Sequence, residues 1–311
     1  MSTSPAGLSR VRRRPVLMLI GAACCWGVGT VISKYALGTV EPIMLLTVQL
    51  ATSTVFLFAG IWVKRVRITW TPQLRRLAAL GILNPGLAYA LGLLGLASIS
   101  ASMSVLIWAA EPVLILVLAM LLLRERITAG LGAALAVAVI GVLLVVYQAG
   151  AAGTVIGVFL TFAAVGACAL YTVITRRLLV DDASIAVAGV QQAAALVFAV
   201  VVLVISQLLW PHAGSISSVP STTWLWAIAS GLLYYGVAFW LYLTGLADVT
   251  ASFAGSFITL VPVFGLAAAT MIGEQLTGRQ WIGAVIVVAA VATIALLQQR
   301  QPSPARLAPD S

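Results

Sequence analysis

Long runs of apolar residues fill most of the chain, and short segments rich in charged residues, Pro, Gly or Ser separate them. A helix needs about 20 mainly apolar residues to cross the hydrocarbon core of a bilayer. The pattern therefore predicts membrane-spanning helices along nearly the whole chain. The breaks predict ten spans, at residues 15–37, 42–63, 75–96, 99–122, 128–147, 154–176, 184–209, 222–246, 249–272 and 279–298.

The composition agrees with this pattern. Of the 311 residues, 62% are apolar and only 8% are charged, and the mean hydropathy is +1.13. Soluble globular domains have about 25% charged residues. These values exclude a water-soluble enzyme, a disordered chain, a collagen and a coiled coil, and they indicate an all-α integral membrane protein.

The basic residues predict the orientation in the membrane. They are spread over many connecting segments, so the net charge of +9 does not indicate a nucleic-acid partner. Arg and Lys accumulate in the cytoplasmic loops of membrane proteins. With a cytoplasmic N-terminus, fifteen of the 17 basic residues fall in cytoplasmic segments, and only Lys34 and Arg279 do not. We therefore expect both termini in the cytoplasm and a multi-pass protein of a bacterial-type inner (plasma) membrane.

Short matches between the two halves indicate an internal repeat. They pair residues 30–34 with 172–176, 95–97 with 245–247, and 125–128 with 274–277. Five spans in each half would insert the second half upside down, and inverted repeats are typical of secondary transporters. The predicted organisation is a basic cytoplasmic tail at 1–14, five-helix repeats at 15–147 and 154–298, and a cytoplasmic C-terminal tail at 299–311.

On these residues the chain resembles the drug/metabolite transporter superfamily with EamA-type repeats, and within it the YddG-type aromatic amino acid exporters. The resemblance is carried by Trp26-Gly27, Lys34, Gly95-Leu96-Ala97, Ala101-Ser102, Pro112, Pro262 and Gly273-Glu274-Gln275-Leu276. The first half departs from the last motif, because Arg124 precedes Glu125 where the family often has Gly. The resemblance implies that spans one, three, four, six, eight and nine line a central cavity. Spans five and ten would brace the two halves.

The resemblance also implies a function. It predicts a secondary transporter that exports small amphipathic metabolites, foremost aromatic amino acids, by alternating access. A carrier of nucleosides, cysteine-pathway metabolites or drugs is an alternative, as is a polytopic membrane enzyme or scaffold without transport. The sequence has no HExxH, P-loop, CxxC or GxSxG motif, so we expect no enzymatic activity, metal or cofactor. The expected partners are a small-molecule substrate and lipid, and the sequence is compatible with a monomer.

Glu111 is the first candidate for a functional residue. It is the only carboxylate in the middle of a predicted span, and its partner in the repeat is Val261. A charge at the bilayer centre costs about 2.5–3.5 kcal/mol, so it should face a cavity or a partner. We expect it to bind a substrate ammonium group or a transported proton; a protonated acid hydrogen-bonded within the bundle is the alternative. Trp108 and Ser104 share its helical face.

The other candidate substrate-binding residues are aromatic, hydroxyl or amide side chains at mid-span. Aromatic faces beside a carboxylate would suit a planar amino acid through stacking and cation–π contacts, whereas packing between helices is the alternative for each ring. These residues are Trp26, Thr30, Asn84, Tyr89, Tyr171, Tyr235, Phe239, Tyr242, Ser252, Ser256 and Thr259. Pro112 and Pro262 each remove a helical hydrogen bond. They are predicted hinges of alternating access, with static packing as the alternative.

Overall fold

The computed structural model describes residues 13–37, 39–96, 98–99, 107–108, 110–125, 127–146, 154–179, 184–209, 219–271 and 277–299. All regular elements within these ranges are helices. The α-helices are α1 (Arg13–Leu37), α2 (Pro42–Val63), α3 (Pro72–Gly81), α4 (Ala88–Leu96), α5 (Glu111–Leu123), α6 (Ala129–Val146), α7 (Val155–Leu178), α8 (Ser184–Leu209), α9 (Ser221–Ser230), α10 (Ala238–Ala247), α11 (Ala251–Ser256), α12 (Val261–Met271) and α13 (Gly278–Gln299). The predicted all-α class is confirmed for this part of the chain.

Three short turns of tighter or wider helix join some of these elements. A first π-helical turn, Ile82–Leu87, connects α3 to α4, and a second, Gly231–Val237, connects α9 to α10. A 3-10 turn, Phe257–Leu260, connects α11 to α12. Each of these composite helices corresponds to one predicted span. The turns at 231–237 and 257–260 change the winding without ending the helix, whereas the first turn contains a kink at Asn84.

The helices fit a membrane protein. Seven helical segments of the described chain are long and apolar enough to cross a membrane. Three shorter apolar helices, Glu111–Leu123, Ala129–Leu144 and Ala251–Gly265, lie at the predicted spans four, five and nine. The number of ten crossings and the inverted relation of the repeats stay predictions.

Local capping chemistry determines where the helices begin. The Glu41 carboxylate accepts a hydrogen bond from the Met44 N–H at 3.1 Å, at the start of α2. The Thr71 hydroxyl accepts one from the Leu74 N–H, also at 3.1 Å, so α3 begins at Pro72. Side-chain oxygens satisfy N–H groups that have no helical partner, and such caps are polar. Hydropathy alone therefore missed the first turn of α3, which was predicted to begin at residue 75.

Each half contacts the other through a glycine next to a π-helical turn. A Cβ atom at Gly81 would lie 2.1 Å from the Gln191 carbonyl oxygen in α8. A Cβ atom at Gly231 would lie 2.8 Å from the Cα and carbonyl oxygen of Gln49 in α2. Small residues permit such backbone-to-backbone contact between membrane helices. These two crossings bring the π-helical turns into the bundle interior.

The remaining contacts define the core and the periphery. α1 packs against α9, α10 and α12, whereas α7 packs against α4 and α5. α6 and α13 pack along each other. The helices predicted to brace the two halves thus contact one another, and the helices predicted to line the centre pack around α1 and α7.

The described contacts show that several basic segments lie at the same end of the bundle. The Gln73 amide, at the start of α3, donates to the Leu178 carbonyl at the end of α7. The Lys64 Nζ, just after the end of α2, lies 4.1 Å from the ring centre of Trp240 in α10. Arg176 lies at the same end, in the last turn of α7. The side of the membrane that this end faces stays a prediction, and the charge distribution predicts the cytoplasm.

Candidate functional site

The two π-helical turns occupy places that the sequence repeat pairs with each other. The first contains Asn84, whose φ of −149° and ψ of 122° are not helical, followed by Pro85. The second consists of Gly231–Val237. π-helical turns inside α-helices occur frequently at functional sites. The helix break predicted at residues 84–86 is confirmed, whereas the second turn was not predicted.

Aromatic rings connect the two turns. Tyr89, just after the first turn, has the rings of Tyr234 and Tyr235 in the second turn at 5.6 and 5.4 Å, both edge-on. The Tyr234 hydroxyl donates a hydrogen bond to the Tyr89 hydroxyl at 3.1 Å. Trp108 stacks on the other side of this group, 6.1 Å from the Tyr89 ring. Tyr89 and Trp108 are half-buried, whereas Tyr235 is buried.

Phe239 is the centre of the buried rings. Its own ring is 1% exposed, and it lies 5.6 Å from Trp26, 6.3 Å from Tyr235 and 6.4 Å from Tyr171. Trp26 also contacts Tyr242 at 5.1 Å. The rings form one aromatic cluster, consisting of Trp26, Tyr89, Trp108, Tyr171, Tyr234, Tyr235, Phe239 and Tyr242. All the predicted aromatic candidates therefore lie together.

Glu111 lies beside this cluster. It is 8% exposed, and it lies near Cys168, Tyr234 and Tyr242. No described residue forms a hydrogen bond with its carboxylate. A buried carboxylate next to electron-rich ring faces can attract a cation in a low-dielectric surrounding. The side chains thus offer the chemistry to bind a cationic group next to a planar one.

Glu111 lies at the start of α5, with Ala110 as its N-cap. The sequence pattern placed it in the middle of a span at 99–122; Ile107 and Trp108 before it are helical and residues 100–106 lie outside the described chain, so its depth in that span stays a prediction. Pro112 follows at the first turn, where its missing N–H costs no helical hydrogen bond. Pro262 lies in the first turn of α12, directly after the 3-10 turn and within a continuous run of helix. The hinge role of both prolines stays a prediction.

The polar groups of several candidates already have partners inside the bundle. The Thr30 hydroxyl donates to the Trp26 carbonyl at 2.8 Å. The Tyr171 hydroxyl donates to the Gln191 Oε1 at 2.8 Å, and the Tyr242 hydroxyl donates to Thr172 at 3.4 Å. Asn84 is buried, and its Oδ1 accepts from the Cys168 thiol at 3.6 Å. The Trp26 Nε1 is buried without a hydrogen-bond partner in the described chain.

The predicted hydroxyls of α11 and the following turn are engaged elsewhere. The Ser252 hydroxyl donates to Glu125. The Ser256 hydroxyl donates to the Phe253 carbonyl, and the Thr259 hydroxyl to the Ser256 carbonyl, each at 2.7 Å. All three residues are buried, with no described contact to the aromatic cluster. Ser104 lies outside the described residues. The segments 147–153 and 210–218, which connect predicted spans, also lie outside them.

One tyrosine and two glutamines at or near the site were not predicted from the sequence. Tyr234 was missed because a 3.6-residue period puts it on a different face from Tyr235, whereas the π-helical turn carries both rings to Tyr89. Gln191 and Gln49 were missed although both are buried polar residues in apolar helices. Amides in an otherwise apolar span are unusual, and that signal could have found them.

Comparison with known proteins agrees with this architecture. The profile of the EamA-like transporter family matches residues 13–147 and again 155–296. The chain belongs to the EamA-like transporter family. An "Uncharacterized transporter" of Archaeoglobus fulgidus is 26% identical over 269 residues, which are 86% of this chain and 93% of that protein. A protein of known crystal structure, 19% identical, superimposes with a TM-score of 0.76 over 91% of this chain and 99% of that chain, which shows the shared fold.

Membership in this family makes the chain a multi-pass membrane protein of a transporter family. The two family matches lie within the predicted repeats at 15–147 and 154–298, apart from two residues at the first boundary. No group of three or more potential metal ligands occurs among the described residues. Glu111, Trp26, Tyr89 and Trp108 belong to the first match, and the other rings of the cluster to the second. The aromatic cluster is therefore built by both.

Proposed function

We propose that this EamA-family protein is a secondary transporter that exports small amphipathic metabolites, foremost aromatic amino acids, across a bacterial-type inner membrane. Both termini are cytoplasmic, and the substrate passes between the two halves by alternating access. The observation that carries the proposal is the buried Glu111 carboxylate beside a cluster of eight aromatic rings. A substrate with an ammonium group and a planar side chain matches both parts of this site.

The roles of the site residues follow from their exposure. Glu111 binds the substrate ammonium group or carries a proton, since no described residue pairs with its carboxylate. Tyr89 and Trp108 are half-buried and offer ring faces for stacking. Phe239 and Tyr171 are almost completely buried and support those rings from behind.

Transport by the purified protein in liposomes tests the proposal. We expect radiolabelled phenylalanine and tryptophan to enter protein-containing vesicles faster than empty ones, and unlabelled aromatic amino acids to compete. Competition by a nucleoside, cysteine or a cationic dye instead would favour one of the other carrier classes. If none of these compounds moves, the carrier hypothesis fails and a membrane protein without transport remains.

Glu111→Gln tests the carboxylate directly. Losing the charge attraction to an ammonium group should raise the KM at least about tenfold, which corresponds to about 1.4 kcal/mol, and should remove any dependence on a pH gradient. Glu41→Gln is the matched control, because Glu41 caps α2 with its carboxylate and does not contact the aromatic cluster. Unchanged transport and unchanged pH dependence in Glu111→Gln would exclude the proposed role.

A further inference from the structure

Glu125 joins two distant helices at the basic end of the bundle. Arg124, with a left-handed φ of 54°, ends α5 and turns the chain. The Glu125 Oε1 then accepts a hydrogen bond from the Ala251 N–H at 2.8 Å. Its Oε2 accepts from the Ser252 N–H at 3.2 Å and from the Ser252 hydroxyl. One carboxylate thus binds three donors in the first turn of α11.

These hydrogen bonds connect the two segments that match the family profile. Glu125 lies in the first match and Ser252 in the second, 127 residues away. A second contact beside them stays within one segment, because the Arg176 guanidinium donates to the Val249 carbonyl just before α11. Glu125 is therefore the described polar link from the first half to α11, whereas the hydrogen bond from Gln73 to the Leu178 carbonyl joins α3 to α7 at the same end.

Apolar packing closes the space around the link. Ile115 and Ala119 of α5 form a buried cluster with Ala251 of α11. A Cβ atom at Gly255 would lie 2.8 Å from the Ile115 side chain, so the two helices are in direct contact. Hydrogen bonds to a charged group are stronger than neutral ones. The donor residues Ala251 and Ser252 are buried, whereas Glu125 is half-buried, so opening of this end would expose the donors to water.

We propose that Glu125 is a latch that holds the predicted cytoplasmic end of the bundle closed and releases α11 when that end opens to substrate. The inference rests on alternating access in the proposed function. Three features suit a latch. It joins the halves, it consists of a side chain on a helix end so that release deforms no helix, and its donors are buried only while α5 and α11 touch. Ser252, predicted to bind substrate, is assigned to this latch.

Distance measurements between spin labels test the latch without any substrate. Leu122→Cys in α5 and Asp248→Cys before α11 are exposed label positions on either side of it. Cys24, Cys25 and Cys168 are first replaced by Ala. In this background Glu125→Gln should raise the population with the longer distance about tenfold, since losing a charge-assisted interaction shifts a two-state equilibrium by about this factor.

Two further variants keep the test decisive. Ser252→Ala removes one donor and retains both N–H groups, so it should give a smaller shift of about threefold in a protein that folds normally. Glu41→Gln removes a carboxylate cap of similar chemistry within one half, and it should leave the distance distribution unchanged. A distribution that stays the same in Glu125→Gln and Ser252→Ala, with only a lower Tm, would show a static helix cap and overturn the latch.

Failure of the latch and failure of the proposed function are distinguishable. If the wild-type protein transports substrate but Glu125→Gln leaves the distances unchanged, the latch is wrong and the carrier stands. If Glu125→Gln lengthens the distance while no substrate moves in liposomes, the latch stands and the carrier assignment is wrong.

Discussion

The two π-helical turns share a framework and differ in the chemistry they present. Each follows or begins with a glycine that contacts a glutamine backbone of the other half, Gly81 with Gln191 and Gly231 with Gln49. The first turn breaks the helix at Asn84 and leads to one ring of the cluster. The second keeps helical backbone angles and carries two adjacent tyrosines. The crossing of the helices is thus common to both halves, and the polar and aromatic groups around it are specific to each.

The largest expected effect on stability is at Gly81 and Gly231, where helices of the two halves cross. Gly81→Ala should lower the free energy of unfolding by about 3 kcal/mol and Gly231→Ala by about 1 kcal/mol, because overpacking costs about 1–3 kcal/mol. The order follows from the distances, since the added Cβ atom would lie 2.1 Å from Gln191 and 2.8 Å from Gln49. Thermal unfolding in detergent measures the difference.

Gly132→Ala is the control for this pair. A Cβ atom there has nothing within 4 Å, so no loss of stability is expected. If Gly231→Ala proved as damaging as Gly81→Ala, or if neither differed from Gly132→Ala, the two crossings would not determine the packing of the turns.

The next comparison is between the half-buried ring of Tyr89 and the buried ring of Phe239. Tyr89→Leu should raise the KM for an aromatic amino acid about tenfold with little change in Tm, because this ring is half-buried and available for stacking. Phe239→Leu should instead lower the free energy of unfolding by about 1–3 kcal/mol, because three rings pack on Phe239 and ring pairs contribute about 0.5–1.5 kcal/mol each.

Transport kinetics and thermal unfolding on both variants check this contrast. A KM that rises equally in both, with equal loss of Tm, would mean that the cluster acts as one packed unit and has no accessible binding face.

The sequence pattern predicted the elements whose ends are marked by polarity. The helices Pro42–Val63 and Ser184–Leu209 coincide with the predicted spans, since charged or polar residues flank both. The pattern failed where winding changes inside an apolar run. Hydropathy is the same for α and π winding, and so the second turn and Tyr234 were not predicted.

The residues of the candidate site also divide into those that the sequence predicted and those that it did not. Side chains predicted from their own chemistry, such as Glu111 and the rings, lie together. The contact of Ser252 with Glu125 was not predicted, because helical periodicity shows which face a residue shares but not which distant group binds it. Glu125 is 127 residues away from Ser252 and lies just after the end of α5.

The smallest expected effect concerns the two glutamines themselves. The Gln49 Nε2 donates to the Ser33 and Ser230 hydroxyls at 2.9 and 2.7 Å, whereas the described partner of the Gln191 side chain is the Tyr171 hydroxyl. Hydrogen bonds between membrane helices average about 0.6 kcal/mol. Gln49→Leu should therefore cost about 1.2 kcal/mol of stability and Gln191→Leu about 0.6 kcal/mol.

The difference between the unpaired amide of Gln191 and the paired amide of Gln49 can also be tested for a role in transport with the same two variants. The Gln191 Nε2 is buried without a partner in the described chain, so part of the cost of burying this amide is already present in the wild type. Gln191→Leu leaves the Tyr171 hydroxyl without this acceptor, which lowers stability. It also removes the cost of burying the unpaired amide, and because this gain offsets part of the loss, its net effect on Tm should be the smaller one. A transport defect in Gln191→Leu at normal Tm, absent in Gln49→Leu, would show that the free amide of Gln191 is used during transport. Equal losses of Tm in both variants would contradict the difference between the two crossings.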